Sequence, residues 1–302
     1  MTPDNAPEHA PDHEPGSASG SRWSDLDRPP LNVTALRRGL LTEGGLWTSF
    51  DVVSSTGSTN SDLGARAAAL PEGAVLVAEE QTAGRGRLDR TWTAPARSGL
   101  FFSVLLRPGD GVPVRHWAWL PLLAGVATAS ALAKAAGVDM SLKWPNDLLV
   151  LVKGANGTEE RKTGGILAER VTEDAVVVGI GLNVTLRADE LPVPEAGSLA
   201  LADAVSTDRD PLLRAILRSL EQWYRRWRSL GGDPAGSGLQ EAYAAGCATL
   251  GRAVRAELPG GRALTGEAVA VDGEGRLVVA EDGGERHAVG AGDIVHLRSA
   301  GA

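Results

Sequence analysis

Five short runs of this chain bring side chains capable of chemistry into close spacing. The densest is EEQTAGRGRLDRTW, residues 79–92, which sets Arg85, Arg87 and Arg90 among Gly84 and Gly86 directly after an apolar run. Glycines let backbone N–H groups approach an anion, and guanidinium groups grip it in pairs, each charge-assisted bond contributing ~1.5–3 kcal/mol. LKWPND, 142–147, crowds a lysine, a tryptophan, a proline, Asn146 and Asp147 into one turn. Its amide suits a ribose or base edge, and its carboxylate suits a cation-bridged phosphate or a neighbouring arginine. An Asx-type turn with Trp144 in the core is the structural alternative. KTGGILAE, 162–169, places Lys162 at the start of a buried strand, with Gly164 and Gly165 allowing close approach of a ligand. Lysine is scarce here, four residues against 26 arginines, and a compact ammonium suits a developing carboxyl or phosphoryl charge. In SSTGSTN, 54–60, Ser58, Thr59 and Asn60 can cap a helix or meet a polar ligand head. In VVGIGLNV, 177–184, Gly179 and Gly181 thin a strand whose single polar side chain, Asn183, needs a partner from the backbone or a ligand.

These runs require elements that hold them. Short apolar segments at 74–78, 100–106, 148–152 and 175–182 read as buried strands, and helical patterns occupy about 60–69, 117–136 and 211–230. The last helix opens with Asp210 and Pro211 as N-cap and first-turn residues. Its apolar positions recur from Leu213 to Trp227, and Arg214, Arg218, Arg225 and Arg228 read as a solvated opposite face. After the Gly/Ser/Pro-rich turn at 231–238, five short alternating strands follow, separated by PGG, DGEG and EDGG. The expected fold class is α+β, a mixed central sheet flanked by helices, with a small β-barrel over 247–299.

Composition limits the function classes. The chain has 302 residues, one cysteine and a net charge of −8, which excludes an internal disulfide, a Cys-based zinc finger and a general polyanion-binding surface. Residues 1–30 carry −4 of that charge with six of the 17 prolines, so they read as a disordered tail in which His9 and His13 are solvated. Residues 117–133 are uncharged, but Pro121, Gly125, Thr128 and Ser130 interrupt them, so they read as a buried helix rather than a membrane span. With no secretory signal, a cytoplasmic location is expected.

Taken in order, STN, Q-x-x-GRGRxxRxW, KWPND, K-x-GGILxE and GIGxN resemble the biotin protein ligases. The resemblance runs from about residue 48 to 240, and 247–299 is similar to that family's C-terminal SH3-like barrel. It implies a class II aminoacyl-tRNA synthetase/biotin synthetase-like catalytic domain over 46–240, preceded by a tail and lead-in over 1–45. The implied activity forms biotinyl-5′-AMP from biotin and MgATP and passes biotin to a lysine of a biotin carboxyl carrier domain. By the same resemblance Ser58, Thr59, Asn60 and Gln81 hold biotin's ring and tail, and Arg85, Gly86 and Arg87 close over it. Lys162 meets the biotin carboxylate and the adenylate phosphate; with Arg85 and Arg87 it forms the expected catalytic set. Arg90, Trp92, Asn146, Asp147 and Asn183 line the ATP side, Asn183 towards adenine and Asp147 near the phosphates and Mg²⁺. ATP and Mg²⁺ enter as co-substrate and ion, with no metal held by the protein itself.

Two departures bear on the expectation. Asp89 stands where the family's loop usually has a second glycine, which demands an ordinary backbone there. The segment before residue 46 is too short for the helix-turn-helix domain of repressing members, so nucleic acid is not an expected partner; the interrupted run at 117–133 implies no membrane, and the resemblance implies a monomer or homodimer. Lipoate or octanoate ligases are the nearest alternative, and a biotin- or nucleotide-sensing binder is a third.

Overall fold

The computed structural model describes residues 28–154, 157–258, 263–290 and 293–296. The tail with His9 and His13 and the PGG turn lie outside the described residues, as does the Asp89 side chain. A seven-stranded mixed sheet forms the centre, built from β1 (Ser49–Val53), β2 (Ala74–Ala78), β5 (Gly99–Leu106), β6 (Met140–Lys143), β7 (Asp147–Gly154), β8 (Gly157–Arg170) and β9 (Val176–Asn183). Its order is β1-β2-β5-β9-β8-β7-β6, parallel between β1 and β2 and antiparallel elsewhere. A separate hairpin, β3 (Gly84–Arg85) with β4 (Thr91–Trp92), carries the arginine-rich run.

Alternation along the strands divides the sheet into two unlike faces. Val176, Val178, Ile180 and Leu182 of β9 join Phe102 and Val104 of β5 in the main core. The helices α3 (Trp119–Ala135) and α4 (Arg209–Ser229) bury their apolar sides in that same core. One stretch, Val114–Ala135, is long and apolar enough to cross a membrane, yet most of it is buried inside the fold. The other face is covered at one end by α2 (Thr59–Ala65), whose Leu63 packs with Leu76, Leu105 and Val177. Beyond Val177, β9 presents Gly179 and Gly181 to this face, and space opens above them.

Three features differ from the sequence reading. Helix α1 (Val33–Leu40) forms inside the lead-in assigned to 1–45; Asn32 caps it, accepting from Ala35 N at 3.0 Å, and Leu36 and Leu40 enter the core. Asp208, not Asp210, caps α4, its carboxylate accepting from Asp210 N at 3.1 Å. The arginines of α4 are not merely solvated. Arg218 and Arg225 donate to Gly39 O and Gly44 O, Arg228 pairs with Glu72 at 2.6 Å, and buried Arg209 pairs with buried Glu79 at 2.6 Å. Glu79 also accepts from Leu31 N and Arg209 donates to Pro29 O, so this pair fastens the lead-in to the sheet.

The expected barrel is a five-stranded antiparallel sheet: β10 (Ala253–Glu257), β11 (Ala263–Val271), β12 (Leu277–Ala280), β13 (Arg286–Val289) and β14 (Asp293–His296), ordered β13-β12-β11-β10-β14. A further helix, α5 (Leu239–Gly246), crosses the expected boundary at 240 and leads into it. Polar contacts tie the small sheet to the catalytic part: Trp119 Nε1, at the start of α3, donates to Gly273 O, and Trp144 Nε1, in the β6–β7 turn, to Gly275 O, both at 3.0 Å. Arg252 grips Glu160 with Nη1 and Nη2, each donating to one carboxylate oxygen at 2.6 Å.

Candidate active site

A cavity of about 290 Å³ lies on the glycine-bearing face of the central sheet, a size suited to a small molecule. Gly165, Gly179 and Gly181 form its floor, and twelve of the thirteen residues singled out from the sequence line it; Asn183 does not. Ile294 and Val295 of β14 complete a wall from the C-terminal sheet, a contribution no local signal in the sequence discloses.

One end is a polar network set in an apolar surround. The loop at 56–57 runs beside 80–83, bringing Gln81 to the first turn of α2. There Gln81 Oε1 accepts from Thr59 N at 2.8 Å, with Thr59 Oγ1 at 3.1 Å. Ser58 is the N-cap residue but makes no side-chain capping bond, so its hydroxyl is not spent on the helix. Buried Ser103 lies 2.8 Å from Thr59 Oγ1 and donates to Asn60 Oδ1 at 2.6 Å. The amide nitrogen of Asn60 donates to Leu167 O at 3.1 Å and Glu169 Oε2 at 2.9 Å. Ser103 and Glu169 were not singled out from the sequence. Both had a signal: Ser103 is the only polar side chain in LFFSVLL, and Glu169 shares the strand face of Gly165 and Leu167 by alternation.

Lys162 reaches the cavity through a shift in strand register. Leu148 pairs with Gly164 and Leu149 with Lys162, leaving Thr163 as an extra residue in β8. Such a bulge reverses the alternation beyond it, turning Lys162 to the face that also carries Gly165 and Asp147. The strand begins at Gly157, so Lys162 is not at its start; the buried part begins after it. Its ammonium lies 2.6 Å from Asp147 Oδ1 and 5.9 Å from the centre of the Trp92 ring. Asp147 and Asn146 open β7 after the β6–β7 turn. Asn146 is held by donation to Ile166 O at 3.0 Å, and Arg87 Nη1 donates to its Oδ1 at 3.4 Å. In the KWPND turn Trp144 is buried, while Asn146 and Asp147 face the cavity.

The β3–β4 hairpin roofs the site. Arg85 pairs with Glu169 Oε1 at 3.0 Å, and Gly86 N donates to Arg90 O at 2.7 Å, closing the loop on itself. The left-handed residue of the loop is Leu88, with φ of 54°, one position before Asp89. Trp92 lies over Gly181 and Gly165; a Cβ on Gly181 would sit 3.2 Å from its ring. Asn183, next along the same face of β9, is buried beyond the cavity. Its Nδ2 donates to Gly197 O at 3.0 Å, while its Oδ1 and Trp92 Nε1 are buried with no hydrogen-bond partner among the described residues. The backbone thus satisfies half of that amide. On the outer side of the site, burial and the nearby Lys143 and Arg252 push His296 down to about 4.

Residues 49–184 match the biotin/lipoate A/B protein ligase family, and residues 249–297 match the biotin protein ligase C-terminal domain. The biotin--[acetyl-CoA-carboxylase] ligase of Mycobacterium tuberculosis is 45% identical over 90% of this chain and 97% of its own length. The bifunctional ligase/repressor BirA of Bacillus subtilis is 36% identical over 82% of this chain and 74% of its own. Among solved structures, a biotin protein ligase from Aquifex aeolicus in complex with biotin and ATP superposes with a TM-score of 0.68, at 26% identity, covering 84% of this chain and all of that one. A biotin protein ligase from Leishmania major in complex with biotinyl-5-AMP gives a TM-score of 0.54, also at 26% identity, covering 80% of this chain and 98% of that one. The motifs, the fold and these relatives agree: the chain belongs to the biotin protein ligase family.

Proposed function

We propose that this protein joins biotin to ATP and delivers the biotinyl group to a lysine of a biotin carboxyl carrier domain of acetyl-CoA carboxylase or a related carboxylase. The observation that carries this reading is the convergence of Arg85 and Arg87 from the hairpin and Lys162 from β8 on one glycine-floored cavity. A carboxylate oxygen attacks the α-phosphorus, the bond to pyrophosphate breaks, and biotinyl-5′-AMP results. The carrier's neutral amine then attacks the acyl carbon, AMP leaves, and the amine's proton passes to solvent. Two anions must meet in the first step, so the principal demand on the protein is fixed positive charge and alignment.

The polar network of Ser58, Thr59, Asn60 and Gln81 is assigned to biotin's ring, and Arg85, Gly86 and Arg87 to closure over it. Lys162 is assigned to the carboxylate and α-phosphate, with Asp147 holding its ammonium in place. Arg90, Trp92, Asn146 and Asp147 are assigned to the nucleotide. Asn183 Oδ1 is a buried acceptor suited to the amino group of adenine. A Mg²⁺ ion fits this site as one carried in by the nucleotide: Asp147 offers a single carboxylate already shared with Lys162, and Mg²⁺ commonly takes one carboxylate, phosphates and water. When bound, it would neutralise phosphate charge. A single cysteine suits a reducing cytoplasm, to which we assign the protein, and a sequence pI of about 5.2 speaks against a general nucleic-acid role.

The test is purified protein with MgATP, biotin and a biotin carboxyl carrier domain, read by streptavidin, with lipoate or octanoate in parallel. Label on the carrier lysine from biotin alone is expected. Transfer of lipoate in preference to biotin makes the protein a lipoyl-type ligase, and binding without transfer makes it a sensor.

A further inference from the structure

The Asn60 side chain has one orientation available. Its nitrogen faces two acceptors, Leu167 O and Glu169 Oε2, and its oxygen faces the Ser103 hydroxyl. A flipped amide would set oxygen against a carbonyl and a carboxylate. The second oxygen of Glu169 lies 3.0 Å from Arg85 Nη1, on the hairpin above the cavity, and the same nitrogen reaches Oε2 more weakly at 3.4 Å. A single carboxylate therefore spans two chain segments, the floor residue on α2 and the roof residue on β3. Glu169 does not itself line the cavity.

We propose that Glu169 is a positioning residue for the biotin end of the site, fixing the Asn60 amide and holding Arg85 of the loop through one carboxylate. This rests on the assignment of that end to biotin's ring. Recognition of a polar ring by buried groups requires their donors and acceptors to be set before the ligand arrives, because a misdirected amide leaves a buried group unpaired. Ordering the roof through the same carboxylate also lowers the entropy lost when the loop closes. The residue acts through its two partners and touches no reacting atom.

Glu169→Gln tests this, since the amide keeps the shape but has only one oxygen and turns an NH₂ towards either Asn60 or Arg85. Biotinyl-AMP formation is measured with biotin and MgATP varied in turn, alongside thermal unfolding. The KM for biotin should rise about tenfold while the KM for ATP stays within twofold, a split that a purely structural role would not produce. The Glu169→Gln and Arg85→Met effects on the biotin KM should combine to less than their product. A biotin KM within twofold of wild type, equal rises in both KM values, or independent effects in the double variant would each overturn the proposal. Should Glu169→Gln not fold, Glu169→Asp keeps the charge but shortens its reach to Asn60 and Arg85: a selective rise in biotin KM is expected, and an unchanged value overturns the proposal. A wild-type control that makes no biotinyl-AMP counts against the ligase reading instead.

Discussion

Adding one methyl group at Gly179 should damage the biotin end of the site selectively. A Cβ there would lie 2.0 Å from Asn60 Oδ1 and 2.9 Å from its Cγ, well inside van der Waals contact. The amide cannot swing aside freely, since hydrogen bonds of 2.6, 2.9 and 3.1 Å hold it on three sides. Breaking them costs about 1 kcal/mol each, more where buried Ser103 is left unpaired. Against this, replacing glycine gains ~0.4–1 kcal/mol by restricting the unfolded chain. The balance is a loss of about 2–3 kcal/mol. At ~2–4 °C per kcal/mol for a chain of this order of size, Gly179→Ala should melt roughly 4–12 °C lower. Displacement of Asn60 should weaken biotin binding at least about tenfold, the equivalent of ~1.4 kcal/mol. Scanning calorimetry and titration calorimetry read the two effects. A variant that melts as wild type does and binds biotin equally well would refute the reasoning, because Asn60 could not then be held against the face of Gly179.

The hairpin bearing Arg85, Arg87 and Arg90 should become a poorer trypsin substrate when biotin and ATP are added, since its tip at Leu88 is exposed and its arginines are assigned to ligand; unchanged cleavage in that segment would count against closure. The pH dependence of stability should carry a contribution from His296, whose folded value of about 4 lies below its usual 6.5. The unfolded chain binds the proton more readily, so stability rises with pH between about 4 and 6.5 and is lost as pH falls through that window. A His296→Asn variant should show a flatter melting-temperature profile over that range than wild type, and superimposable profiles would show that the ring is not held neutral.

Much of this architecture was legible in the sequence because it depends on local periodicity. The runs at 74–78, 100–106, 148–152 and 175–182 each became strands, and the three helical patterns became helices within a few residues. The same periodicity, carried further, would have placed Glu169 on the site face with Gly165. Lys162 shows where periodicity fails: only the extra residue Thr163 turns it towards the cavity, and a bulge leaves no mark in composition. The helix within the lead-in escapes a local reading for a related reason. Helix α1 gains its stability from burial of Leu31, Leu36 and Leu40 and from the Glu79–Arg209 pair, partners 130 residues apart that no local window contains. Asn183 reads from the sequence as an amide needing a partner, but its backbone acceptor, Gly197 O, comes from a loop whose return to β9 is a property of the fold.

The most direct test of the central claim is the rate of biotinyl-AMP formation by Lys162→Ala, measured with the equilibrium affinity for biotin and the melting temperature. If the ammonium beside Asp147 supplies the charge that lets carboxylate and α-phosphate meet, the rate should fall by about two to three orders of magnitude, comparable to removing one preorganised donor, while the protein stays folded. Wild-type turnover in the folded variant would contradict the account.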